Sequence, residues 1–141
     1  MTQTREGSLL EWQWSIYPGT HHDRRNLLVH ALTVPVFQVG TVALVVGPLV
    51  SVWLSALGLA GMAGAMLAQG RGHRLEPKPP SPFLGPRDLV ARILAEQWVT
   101  FPRYVASGGF GDAWRGTGRP SSENPSRPVA TVPPRPDGSG G

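Results

Sequence analysis

The longest feature of the hydropathy pattern is a run from Asn26 to Gln69 that holds no Asp, Glu, Lys or Arg. A bilayer's hydrocarbon core takes about 20 helical residues at roughly 1.5 Å each, so these 44 positions amount to two crossings. Val46-Gly47-Pro48 is the natural break, because glycine relaxes the backbone and proline removes a donor. The pattern therefore predicts membrane helices over 27–46 and 49–69, paired as an antiparallel hairpin. The run is too long and too far inside the chain for a cleaved signal peptide. Its second helix carries small residues at 56, 60 and 64 and again at 58, 61 and 65, which suits close packing against the first helix or a second copy.

Shorter periodic segments flank the run. Ser8-Leu9-Leu10-Glu11 has the spacing of a capping box, and Leu9, Leu10, Trp12, Trp14, Ile16 and Tyr17 follow before Pro18-Gly19. This predicts an amphipathic helix over 8–17 whose aromatic residues lie at headgroup level. Beyond the run, the proline-rich span from Glu76 to Pro82 is incompatible with helix. Gly85-Pro86-Arg87-Asp88 opens a second amphipathic helix over 86–105, with Arg87, Asp88, Arg92, Glu96 and Arg103 largely opposite its apolar face and Pro102 set to kink or end it. From Ser107 onward Gly, Pro and Ser dominate. The expected fold is an all-α membrane protein: one helical membrane domain over 1–106, with a transmembrane hairpin flanked by interfacial amphipathic helices, and a disordered tail over 107–141.

Composition narrows the chemistry. The chain has no cysteine, which excludes disulfides, thiolate catalysis and Cys-ligated metals. Any metal must be held by His, carboxylates or water. The net charge of +4 comes from arginine, and Arg24, Arg25, Arg71 and Arg74 flank the apolar run. By the positive-inside rule these flanks, and with them both termini, are expected in the cytoplasm. Arg-, Ala- and Gly-rich usage without a targeting segment points to a bacterial inner membrane. No basic soluble face is present, so membrane lipids and a second copy of the chain are the expected partners and nucleic acid is not.

All four histidines gather at the mouth of the hairpin. His30 lies about one turn inside the first helix, His73 at the end of the second, and His21 and His22 just before the first, while Glu76 follows His73 by three residues. An antiparallel hairpin brings these positions to one depth. Imidazole suits iron, zinc, copper or nickel, and an ionisable residue at the membrane boundary is costly without a partner. The other explanation is structural, with the histidines satisfying one another and backbone groups.

The segment Tyr17-Pro18-Gly19-Thr20-His21-His22-Asp23-Arg24-Arg25-Asn26-Leu27-Leu28-Val29-His30, followed by Pro35, resembles the Y…H-x4-N-x3-H signature of a family of small multi-helix membrane proteins. Gln69-Gly70-Arg71-Gly72-His73-Arg74-Leu75-Glu76-Pro77 is similar to its second signature, a Gly-His dipeptide with a nearby Glu and prolines. The family is typified by the fungal endoplasmic-reticulum 2-hydroxy fatty acid dioxygenase, and the resemblance covers roughly residues 12–105. It implies an Fe(II) enzyme that shortens long-chain 2-hydroxy fatty acids by one carbon with oxygen. On that resemblance His21, His30 and His73 are the metal ligands, with His22 as an extra histidine that supplements or replaces His21. Glu76 binds or orients the metal, Asn26 orients a ligand, and Arg25 or Arg74 holds the substrate carboxylate. Three departures are visible: Glu76 stands three rather than four residues after His73, Ala31 occupies the place of the usual glycine after His30, and the hydrophobic core is shorter than in members with four membrane spans. The rivals are a non-catalytic membrane protein and a metal-dependent lipid hydrolase.

Overall fold

The computed structural model describes residues 7–117, and every regular element among them is helical. In chain order these are α1 (Leu9–Ile16), α2 (Arg24–Val50), α3 (Val52–His73), α4 (Pro86–Ala95), α5 (Phe101–Ala106) and α6 (Gly109–Arg115). A 3-10 turn, Tyr17–Thr20, leads from α1 towards α2, and a π-helical turn, Glu96–Thr100, joins α4 to α5. α1 opens on the expected capping box: the Ser8 hydroxyl accepts the Glu11 N–H at 3.3 Å and the Glu11 carboxylate accepts the Ser8 N–H at 2.9 Å.

α2 and α3 pack against each other as a hairpin, and each is long and apolar enough to cross a membrane. The break falls later than expected. α2 continues through Val46-Gly47-Pro48 to Val50, and the chain reverses at Ser51 alone, in extended conformation. Pro48 is tolerated because the carbonyl it deprives of an amide, that of Leu44, accepts the Ser55 hydroxyl from α3 at 3.4 Å. Gly47 lies against Ser55 so closely that a Cβ would collide with it. Both residues expected to end the helix instead serve the packing of its partner. α3 likewise runs past residue 69 to His73.

The two small-residue sets separate. Gly58 and Ala65 are buried against α2 with Gly61 beside Val36, whereas Ala56, Ala60 and Gly64 face outward. The helices come closest at Gly40 and Gly58, where a Cβ on Gly58 would lie 2.6 Å from the Gly40 carbonyl oxygen. Alanine at Gly58 is accordingly expected to destabilise the hairpin by about 1–3 kcal/mol, measured as a lower unfolding midpoint in detergent by circular dichroism.

The core sits at the mouth of the hairpin. Tyr17, Leu27, Val34, Phe101, Tyr104 and Ala113 form one buried cluster, with Trp14, Ala31 and Phe110 against it. The short helices thus roof one end of α2 and α3. α6 falls within the segment expected to be unstructured after residue 106; Phe110 meets Phe101 edge-on at 6.3 Å, and Gly109 lies under the Tyr104 ring with no room for a side chain. The rest of the expected tail, 118–141, lies outside the described residues. Away from the roof the hairpin is bare and apolar: Val45 is 70%, Leu49 88%, Trp53 76% and Leu57 71% exposed.

The second amphipathic segment is not one helix. Pro102 has no N–H to give a carbonyl one turn earlier, and the helix widens ahead of it so that the Phe101 N–H bonds the Glu96 carbonyl. This widened turn carries the side chain that completes the site.

Candidate metal centre

His21, His30, His73 and Glu96 each offer one ligand atom, and the four atoms lie within 4.8 Å of one another. The three imidazole centroids form a near-equilateral triangle with sides of 4.8, 4.9 and 5.0 Å, each ring steeply inclined to the others. Glu96 Oε1 stands 3.6 Å from His21 Nε2 and 3.4 Å from His30 Nε2.

Local structure fixes each ring. His21 follows the 3-10 turn, and its Nδ1 lies 3.1 Å from both the Tyr17 carbonyl and the Thr20 hydroxyl. A proton on Nδ1 donated to that carbonyl leaves Nε2 as a lone-pair donor facing the centre. His30, fully buried in α2, does the same through the Asn26 carbonyl one turn back, at 3.0 Å. This is the arrangement by which metal-binding histidines are commonly oriented. His73 ends α3. His21 Nε2, His30 Nε2 and His73 Nδ1 are all buried without a hydrogen-bond partner, a costly condition that a metal ion would relieve.

Electrostatics favours the ligand forms. Burial holds the His21 imidazole below its ordinary value against the opposing pull of Glu96, so it is neutral at pH 7. Burial alone would raise the Glu96 carboxyl, but the two imidazoles beside it, His21 and His30, outweigh burial and keep the group well below the usual carboxylate range. Tyr17 stacks on His21 at 3.8 Å, and its hydroxyl donates to Glu96 Oε1 at 3.3 Å. Burial and the neighbouring carboxylate push the Tyr17 phenol well above its ordinary value, so it stays protonated and able to donate.

The structure brings His21, His30 and His73 together, but Glu76 and His22 stand apart from the group. Glu76 accepts the backbone N–H groups of His22 and Asp23 at 2.9 and 3.1 Å and the Asn26 side-chain amide at 2.7 Å. It ties the start of α2 to the loop after α3, using acceptors where a helix N-terminus lacks them. His22 contributes its main-chain N–H to that tie. Asn26 contributes its carbonyl to His30, and its side chain fills the space against Gly72, where a Cβ would meet Oδ1 at 2.5 Å. Arg25 is exposed and paired with Asp23 at 3.3 Å, and Arg74 is exposed beside an open cleft with His73, Glu76 and Pro79.

The carboxylate in the cluster is Glu96, which periodicity placed on the polar face of an amphipathic helix. Pro102 six residues later was the available sign that the helical register changes there. Beside the cluster lies a mostly apolar cavity of about 230 Å³, reached by His21, His73, Glu96 and Tyr17 and walled by Ile16, Met66, Leu89 and Ile93. Its guanidinium is Arg92, buried beneath Trp12 and Phe83 and bonded to the Ser81 and Pro82 carbonyls. Three histidines and a carboxylate at the mouth of an apolar helical hairpin define a candidate metal-binding helical protein. No protein-family model, curated protein or solved structure matches the chain.

Proposed function

We propose that the chain is an integral membrane oxygenase that uses Fe(II), held by His21, His30, His73 and Glu96, to shorten long-chain 2-hydroxy fatty acids by one carbon. The observation that carries the metal is the convergence of unpartnered imidazole nitrogens and a carboxylate beside one cavity. The donor set of three imidazoles and one carboxylate suits iron or zinc and does not suit calcium or magnesium. Two features support the membrane. Only 22% and 17% of the most apolar windows of α2 and α3 are buried, far less than the core helices of a soluble monomer bury. The exposed apolar belt also far exceeds what water tolerates on a monomer.

Substrate class comes from the motif resemblance together with the shape of the cavity. The acid head and 2-hydroxyl lie toward His21, His73 and Glu96, and the start of the alkyl chain lies among Ile16, Met66, Leu89 and Ile93. The overall reaction balances without an added reductant: a 2-hydroxy acid and O2 give the acid one carbon shorter, carbon dioxide and water. When bound, Fe(II) supplies the one-electron chemistry with oxygen that imidazole and carboxylate groups lack. The protein's own groups hold the ligand nitrogens in their lone-pair form, fix Glu96 through the Tyr17 hydroxyl and exclude water with an apolar wall. Arg92 also lines the cavity, its guanidinium held by the Ser81 and Pro82 carbonyls and 3.9 Å from the Asp88 carboxylate.

One observation favours a non-catalytic reading: Glu96 already neighbours two of the three histidines and could serve them as a structural partner. Elemental analysis of tag-free protein purified without oxygen separates the two. About one iron per chain, lost in His30→Ala and His73→Ala, and oxygen uptake on adding a 2-hydroxy fatty acid are the expected results. Zinc without oxygen uptake would turn the reading to hydrolysis, and no metal after iron is supplied would establish the structural one.

A further inference from the structure

Two buried glutamines, Gln69 and Gln97, and a half-buried one, Gln38, meet at the turn that carries Glu96. The Gln69 and Gln97 side chains exchange two amide hydrogen bonds at 2.7 and 3.1 Å, and Gln69 also donates to the Thr33 hydroxyl at 2.9 Å. Gln97 is wholly buried and Gln69 nearly so. Gln38, on α2, donates its side-chain amide to the Gln97 main-chain carbonyl at 2.8 Å.

That last bond follows from the backbone. In α-helical register the Gln97 carbonyl would accept the Phe101 N–H, but here Phe101 bonds Glu96 instead. In the π register the donor for Gln97 would come from residue 102, which is proline and has none. The widened turn therefore leaves one buried carbonyl without a main-chain donor, and Gln38 supplies it. A buried polar group without such a partner is costly.

We propose that Gln38, Gln69 and Gln97 are a register lock that positions Glu96 as the carboxylate donor of the metal centre. The inference rests on the metal-centre reading. Glu96 immediately precedes Gln97, so a turn relaxed into α register would rotate the carboxylate away from His21 and His30, which come from other elements. The lock bonds the turn to α2 through Gln38 and, through Gln69, to α3, the two helices that carry His30 and His73. Glutamine suits this because one side chain offers both a donor and an acceptor.

The test is titration of the full-length, metal-free protein in detergent with Co(II), read by visible absorption, which reports the ligand set. Wild type is expected to bind one equivalent. Gln38→Leu is expected to bind roughly tenfold more weakly with an altered spectrum, the usual effect of removing a group that supports a ligand. Gln38→Lys keeps an N–H donor of similar reach to the Gln97 carbonyl and is expected to hold affinity and spectrum near wild type. Wild-type binding by a folded Gln38→Leu chain overturns the lock, as does a Gln38→Lys chain that binds no better than Gln38→Leu. If Gln38→Leu does not fold, wild-type binding by Gln38→Lys supports the lock, and a Gln69→Leu chain that folds and binds as wild type overturns it. Absence of Co(II) binding by wild type is a different failure, since it removes the centre and the lock with it.

Discussion

Glutamine in place of Glu96 is expected to abolish tight metal binding at the proposed centre while leaving the helices folded. The substitution keeps the shape and the acceptor facing the Tyr17 hydroxyl but removes the charge and the anionic ligand. Four-ligand sites of this kind are worth about 10–16 kcal/mol, so one ligand carries on the order of 3 kcal/mol and its loss weakens binding more than roughly 100-fold. The helical content should not fall, because Glu96 touches the histidines and Tyr17 but does not join the buried apolar cluster. Metal content after dialysis, beside a circular dichroism spectrum, checks both halves. Retention of a full equivalent of metal by Glu96→Gln would remove the carboxylate from the centre.

Alanine in place of Glu76 is expected to do the reverse, lowering stability first and metal binding as a consequence. Its carboxylate accepts two backbone amides and one side-chain amide at the start of α2. Losing the shared acceptor of one buried and two part-buried amides costs about 1–3 kcal/mol, a sizeable part of the roughly 5–15 kcal/mol that holds an ordinary domain together. His22→Ala provides the contrast. Only the main-chain N–H of His22 reaches Glu76, so the variant should match wild type in unfolding temperature and in metal content. A thermal unfolding series on the three proteins decides the matter; a stable Glu76→Ala chain that lost its metal would make Glu76 a ligand after all.

The hairpin and the three histidines were legible because they depend on simple signals. An uncharged run long enough for two crossings, with histidines at both of its mouths, constrains topology however the turn is made. The turn itself was misplaced because Gly47 and Pro48 are read as breakers from local chemistry alone. Their tolerance in α2 depends on Ser55, which lies across the hairpin and offers both a hydroxyl for the stranded carbonyl and a backbone that needs the space. Glu76 was placed near the metal by proximity to His73 in sequence, yet the chain turns after α3 and aims it at the α2 N-terminus instead. Glu96 was hidden for a related reason: helical periodicity assumes one register, and Pro102 makes the register change. Gln69 was read as the end of an apolar run, and Gln97 carried no signal of its own within the amphipathic segment. Nothing in their spacing announces that the two amides meet, since 28 residues separate them and the contact exists only once α4 has folded back.

The ligand set is also ordered in time. His21 and His30 leave the ribosome before the hairpin exists, His73 completes its second arm, and Glu96 arrives only after the proline-rich connection has turned the chain back toward the mouth. On the proposed reading the centre has no partial form worth loading early: His21 and His30 alone would hold a metal poorly, and the carboxylate comes last. Metal capture would then be a terminal step of folding, a clasp that closes on a chain already turned, and a nascent protein arrested before the widened turn would wait empty.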